Sequence, residues 1–294
     1  MREGSFLSLG PNGFHRVVYS DWGDVQNRRV LICVHGLTRN GRDFDTLANA
    51  LSEDYRVVCP DVAGRGRSEW LPVKQDYGYP VYCADMAALI AHLRAESVDW
   101  LGTSMGGLIG MLLAATPGTP LRRLVMNDIG PLIPKVALER IASYVGTDPR
   151  FDNMSALDAY IREIYAPFGP LTDAQWRGLV ESSARTTADG DIGLSYDPGI
   201  AEPLRAAPLE DIDLWTVWDA VQCPVLLLRG QKSDVLPAET AEEMQRRGPK
   251  TTFVELPEIG HAPALMANDQ IGTIRDWLLS DLKAREVRSG GPGL

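Results

Sequence analysis

The pentapeptide Gly102-Thr103-Ser104-Met105-Gly106 constrains this chain more than any other stretch. It follows a short apolar run, Val98-Asp99-Trp100-Leu101, and leads into the glycine-rich apolar stretch from Gly107 to Ala115. That pattern predicts a strand, a sharp turn and a helix, with Ser104 at the turn. A serine held there has a strained backbone. The chain also crowds itself two residues to either side, where only a residue without a side chain fits easily. The turn lifts the Ser104 hydroxyl clear of the sheet and sets the Met105 N–H at a helix N-terminus, where it stabilises negative charge. The expected chemistry is that of a serine nucleophile.

The rest of the chain supplies a scaffold for such a turn. Apolar or β-rich runs occur at 14–22, 29–34, 55–59, 98–102, 121–126, 224–229 and 251–256. Helical patterns fill the gaps at 44–51, 79–94, 104–115, 238–247 and 269–282. Alternation of this kind predicts an α/β fold with a mostly parallel, doubly wound central sheet of about eight strands and helices on both faces. The alternation breaks between Gly130 and Ala220, in a proline-punctuated region holding Tyr144, Tyr165, Phe168, Trp215 and Trp218 among its aromatics. A segment that long is not a loop in a compact domain. The expected organisation is a core of residues 1–130 and 221–294, with 131–220 inserted as a helical cap. The polar, glycine-rich end, Arg285 to Leu294, is expected to fray.

Composition excludes several classes. The net charge is −10, and basic residues cluster only in pairs such as Arg122-Arg123, so no nucleic-acid partner is expected. Cys33, Cys59 and Cys223 fall in or beside apolar strands and read as small core residues, with Cys83 unassigned. No cysteine–histidine cluster suggests a metal. His15 and His92 are expected on solvated faces. No run approaches the ~18 apolar residues of a membrane span, and no leader pattern opens the chain. The expected location is the cytoplasm.

With these residues assembled, the chain resembles an α/β-hydrolase-fold protein of the serine esterase type, over nearly its whole length. The resemblance rests on His35-Gly36-Leu37 after the third strand, Ser104 on its turn, an acid after a late strand, and His261 in Gly260-His261-Ala262-Pro263. It implies a catalytic set of Ser104, His261 and an acid. Asp234, after the strand at 224–229, is the expected acid; Asp128, after the preceding strand, is the alternative. The implied oxyanion hole is formed by the backbone N–H groups of Leu37 and Met105. His35 is expected to orient its loop, Arg39 and Trp218 are candidates for the substrate pocket, and Asp61 to Ser68 is a turn-rich stretch with no catalytic role.

The implied activity is hydrolysis of carboxylic esters through an acyl-enzyme, without cofactor or metal. The partner is a small-molecule ester, and the protein is expected to act as a monomer or homodimer. Ser104 excludes relatives that open epoxides or displace halides, which use an aspartate nucleophile. Related triads also cleave carbon–carbon bonds or amides and enol-amides, or support cofactor-free perhydrolysis, and a non-catalytic binder on the same scaffold is a further alternative.

Overall fold

The computed structural model describes residues 1–206 and 208–280. The expectations for Arg285 to Leu294, and for a last helix reaching Leu282, lie outside these residues. Eight strands form one sheet: β1 (Arg2–Gly10), β2 (Gly13–Trp22), β3 (Val30–Val34), β4 (Arg56–Pro60), β5 (Val98–Thr103), β6 (Leu121–Asn127), and then β11 (Val225–Gly230) and β12 (Thr251–Leu256). The strand order is β1-β2-β4-β3-β5-β6-β11-β12. The strands from β4 to β12 in that order run parallel; β2 pairs antiparallel with both β1 and β4.

Burial explains the apolar runs. All five residues of β3 and all six of β11 are buried, because helices cover both faces of a parallel sheet. On one face Ile32, Val34, Trp100, Met126 and Leu227 share a core with helices α2 (Tyr79–His92) and α3 (Met105–Ala114). On the other, Leu31, Cys33, Cys59, Leu101 and Leu226 pack with α1 (Asp45–Leu51) and α10 (Asn268–Leu278). Helix α9 (Ala238–Arg246) lies against β12.

Between β6 and β11 the chain is mostly helical: α4 (Lys135–Tyr144), α5 (Met154–Ile164), α6 (Asp173–Ser183), the short α7 (Glu202–Arg205) and α8 (Trp215–Ala220). Two short antiparallel ladders accompany them. β7 (Leu132–Ile133) pairs with β10 (Ile212–Asp213), and β8 (Ala184–Thr186) pairs with β9 (Ile192–Leu194).

Two features depart from the sequence reading. Strand β1 was not expected; Phe6 and Ser8 face inward while Leu7 and Leu9 stand exposed, so apolar residues lie on both sides and do not single out the buried one. His15 is not solvated: it is 3% exposed, and its Nε2 meets Asp85 Oδ2 at 3.0 Å. That hydrogen bond, working against desolvation, raises the His15 pKa and ties the β1–β2 hairpin to α2. No helix of the described residues is long and apolar enough to cross a membrane.

Candidate active site

The fold gathers the candidate residues at the carboxyl ends of the parallel strands, where open α/β sheets bind their ligands. Ser104 lies between β5 and α3 with φ 52° and ψ −115°. The crowding at this turn is severe. A Cβ on Gly102 would stand 2.1 Å from the Gly106 carbonyl oxygen, and one on Gly106 would stand 2.0 Å from that of Val34. Only glycine allows the helix to start so close to two strands.

His261 lies in the loop after β12. Its Nε2 is 2.9 Å from Ser104 Oγ and its Nδ1 is 2.8 Å from Asp128 Oδ2. Asp128 follows β6, is fully buried, and accepts a second hydrogen bond from the Gly230 N–H at 2.7 Å. A carboxylate fixed this way calls for an Nδ1–H donor, which leaves Nε2 as an acceptor for the serine hydroxyl. The Asn127 amide donates to Thr103 Oγ1 at 3.0 Å and to the Pro263 carbonyl at 2.8 Å, tying the histidine loop to β5 and β6. An arrangement of this kind takes the hydroxyl proton as the oxygen attacks and returns it to a leaving group.

The loop after β3 closes the other side. A Cβ on Gly36 would lie 3.8 Å from Ser104 Cβ, so the Gly36-Leu37 backbone stands against the serine. The first N–H groups of a helix have no intrahelical acceptor, and Met105 is the first residue of α3.

Residues 31–271 match the Alpha/beta hydrolase family. The chain belongs to that family. This alpha/beta hydrolase is 49% identical to a 3-hydroxybutyrate-oligomer hydrolase of Cupriavidus necator, over 92% of this chain and 95% of that protein. It is 27% identical to a 2-(acetamidomethylene)succinate hydrolase of Mesorhizobium japonicum, over 79% of this chain and 81% of that one. Among solved structures, an alpha/beta hydrolase from Novosphingobium aromaticivorans superposes with a TM-score of 0.84 at 36% identity, covering 94% of this chain and 97% of that one.

The hydrolase departs from the sequence expectation in its acid. Asp234 does not reach His261; it is half exposed and takes Arg140 Nε at 2.5 Å and Nη2 at 2.9 Å. The loop after β11 explains why. Ser233 Oγ accepts the N–H groups of Val235 and Leu236, and Arg229 Nε holds the Leu236 carbonyl. Val235 and Leu236 are both buried, which turns Asp234 outward.

Trp218 is likewise not a pocket residue. It is fully buried, donates its indole N–H to the Arg247 carbonyl at 3.0 Å, and lines neither cavity at Ser104. Arg39 does line one of them, but as a buried strut. Its Nε and Nη2 bind Asp43, its Nη1 donates to Ser183 Oγ, and its guanidinium lies 4.8 Å from the Tyr165 ring centroid.

Arg65, in the turn-rich stretch after β4, is not among the expected site residues. It is fully buried between the Tyr77 and Tyr82 rings. Its Nε donates to the Leu37 carbonyl at 2.9 Å, and Nη2 stands 3.7 Å from Met105 Sδ, so one side chain touches both residues next to the serine. A bulky cation among glycines was the available signal, but nothing in the motif says what it would touch.

His35 braces the same loop as a neutral ring. Its Nδ1 bonds the Gly36 carbonyl at 2.7 Å and its Nε2 accepts the Val62 N–H at 2.9 Å. Burial pushes its pKa down to about 4 from 6.5. The unfolded chain therefore takes up a proton on acidification before the folded one does. Stability contributed by neutral His35 is full above pH 6.5 and is lost as pH falls through the window down to about 4. The full loss across that window is about 3 kcal/mol, of which about 2 kcal/mol falls between pH 7 and pH 5. Urea denaturation at pH 7 and pH 5 checks it: a His35→Gln variant should lose less stability over that interval than the wild type.

Proposed function

We propose that this chain is a serine carboxylic-ester hydrolase that cleaves short oligomers of a hydroxyalkanoic acid through an acyl-enzyme. The observation that carries the reading is the hydrogen-bonded line from Asp128 through His261 to Ser104 Oγ. The likeness to a 3-hydroxybutyrate-oligomer hydrolase supports the substrate class.

Ser104 Oγ attacks the ester carbonyl carbon while His261 Nε2 takes its proton. Asp128 holds the imidazole in that tautomer and stabilises its cation. The N–H groups of Leu37 and Met105 receive the oxyanion. The tetrahedral intermediate collapses, the carbon–oxygen bond to the leaving alcohol breaks, and His261 returns the proton to that oxygen. A water deprotonated by His261 then clears the acyl-enzyme. Residues 131–220 act as the lid over this cleft.

Two cavities meet at Ser104 and support a division of the substrate between them. One, of about 60 Å³, contains His261 together with Thr38, Arg39, Arg140, Tyr144 and Tyr165. The other, of about 220 Å³, lies on the Met105 side and is walled by Leu108, Ile129, Leu138 and Ile141 among others. The leaving oxygen must meet His261 Nε2, so the alcohol belongs in the first cavity and the acyl chain in the second.

Assays on p-nitrophenyl esters from acetate to palmitate, and on the 3-hydroxybutyrate dimer and trimer, test this. Turnover that needs Ser104, falls from short to long acyl chains and releases 3-hydroxybutyrate is the expected result. A folded wild type that leaves every ester intact overturns the reading in favour of amide or carbon–carbon cleavage.

A further inference from the structure

We propose that Arg140 is a carboxylate anchor on the leaving-group side, so that the protein removes hydroxy-acid units from the free carboxyl end of its oligomer. This rests on the ester-hydrolase reading above. When the last ester bond of such an oligomer breaks, the leaving alcohol is itself a hydroxy acid. In a 3-hydroxy acid the carboxylate stands only two carbons beyond the carbon bearing the leaving oxygen. With that oxygen at His261 Nε2, the negative charge must settle within the small cavity that contains His261.

Two guanidinium groups line that cavity. Arg39 is 4% exposed, and all three of its guanidinium nitrogens have acceptors in Asp43 and Ser183. Arg140 is different. Its side chain is 42% exposed, and Asp234 takes only its Nε and Nη2. Tyr144, which also lines the cavity, is its other hydrogen-bonding neighbour. A guanidinium carries five N–H donors, so one bidentate carboxylate leaves donors over for a second. Asp234 then has a role of its own: it grips Arg140 from the loop after β11 and sets the guanidinium at the mouth of the cleft. The second cavity, walled by aliphatic residues and by Tyr77, Tyr79 and Tyr82, has no Arg, Lys or His among its described lining residues and suits the methyl-bearing acyl remainder.

The reaction is hydrolysis in every case. The ester carbon–oxygen bond breaks, the leaving hydroxy acid gains the proton from His261, and water supplies the hydroxyl of the new carboxyl group. That new carboxylate belongs to the shortened oligomer, which then presents a fresh free end to Arg140.

The test compares kcat/KM for the 3-hydroxybutyrate dimer as the free acid and as its methyl ester, with p-nitrophenyl butyrate as a substrate that lacks any carboxylate. The wild type is expected to prefer the free acid by about tenfold at low salt, the scale of a half-exposed charged hydrogen bond, with the preference shrinking as ionic strength rises. Arg140→Met should bring the ratio of acid to ester near one, mainly through KM, and Arg140→Lys should restore part of it. A wild type that turns over p-nitrophenyl butyrate but does not distinguish acid from methyl ester overturns the anchor and leaves the ester reading standing. So does an Arg140→Met variant that keeps the wild-type ratio. Absence of turnover on all three substrates removes both.

Discussion

Asp128→Asn is expected to lower kcat on a p-nitrophenyl ester by about 10⁴-fold, while Asp234→Asn costs less than about tenfold. The reason is the tautomer. Asp128 is a buried acceptor 2.8 Å from His261 Nδ1, with its other oxygen taken by the Gly230 N–H. An asparagine that keeps the Gly230 bond through its carbonyl oxygen offers an N–H to Nδ1. The ring then carries its proton on Nε2, pointing at Ser104, and cannot accept the hydroxyl proton. Asp234 is half exposed on Arg140, and its loss leaves His261 and Ser104 untouched. Parallel kinetics of the two variants settle the matter. A larger loss in Asp234→Asn would mean that the acid after β11 serves the histidine in solution.

Ser104→Gly is expected to abolish the Ser104-dependent rate, a loss on the order of 10⁶-fold, and yet to make the protein more stable. The serine is held at φ 52°, a region that costs a residue with a side chain about 1–3 kcal/mol. Glycine adopts it freely, though its own unfolded-state entropy returns roughly 0.5–1 kcal/mol. The net gain should be about 1 kcal/mol in urea denaturation. Retained activity would remove Ser104 from the nucleophile role, and a less stable variant would show that the turn holds no strain.

The elements that were legible in the sequence are those whose cause is local. Strand β3 is a continuous apolar run because both its faces are covered, β5, β6 and β11 are apolar over most of their length for the same reason, and the observed spans of all four differ from the expected ones by a residue or so. The serine turn was legible because its glycines respond to contacts within a few residues and to one neighbouring strand. Strand β1 was not, because Ser8 faces inward while Leu7 and Leu9 are exposed on its other side. His15 was not, because its partner Asp85 is seventy positions away in the chain.

The acid marks the boundary most clearly. By itself the sequence determined that a serine stands on a strand-to-helix turn, that a histidine follows the last strand, and that an aspartate comes after each of two other strands. Those are consequences of residue type and local period. Which aspartate meets the histidine depends on how two loops fold over the sheet end. Val235 and Leu236 bury themselves and swing Asp234 out to Arg140, while Asp128 stays beneath the His261 loop, held by Gly230. The same holds for Arg65, whose contacts with Leu37 and Met105 join segments far apart in the chain. Hydrogen bonds between distant segments leave no period in a sequence, so only the tertiary structure could choose among the candidates.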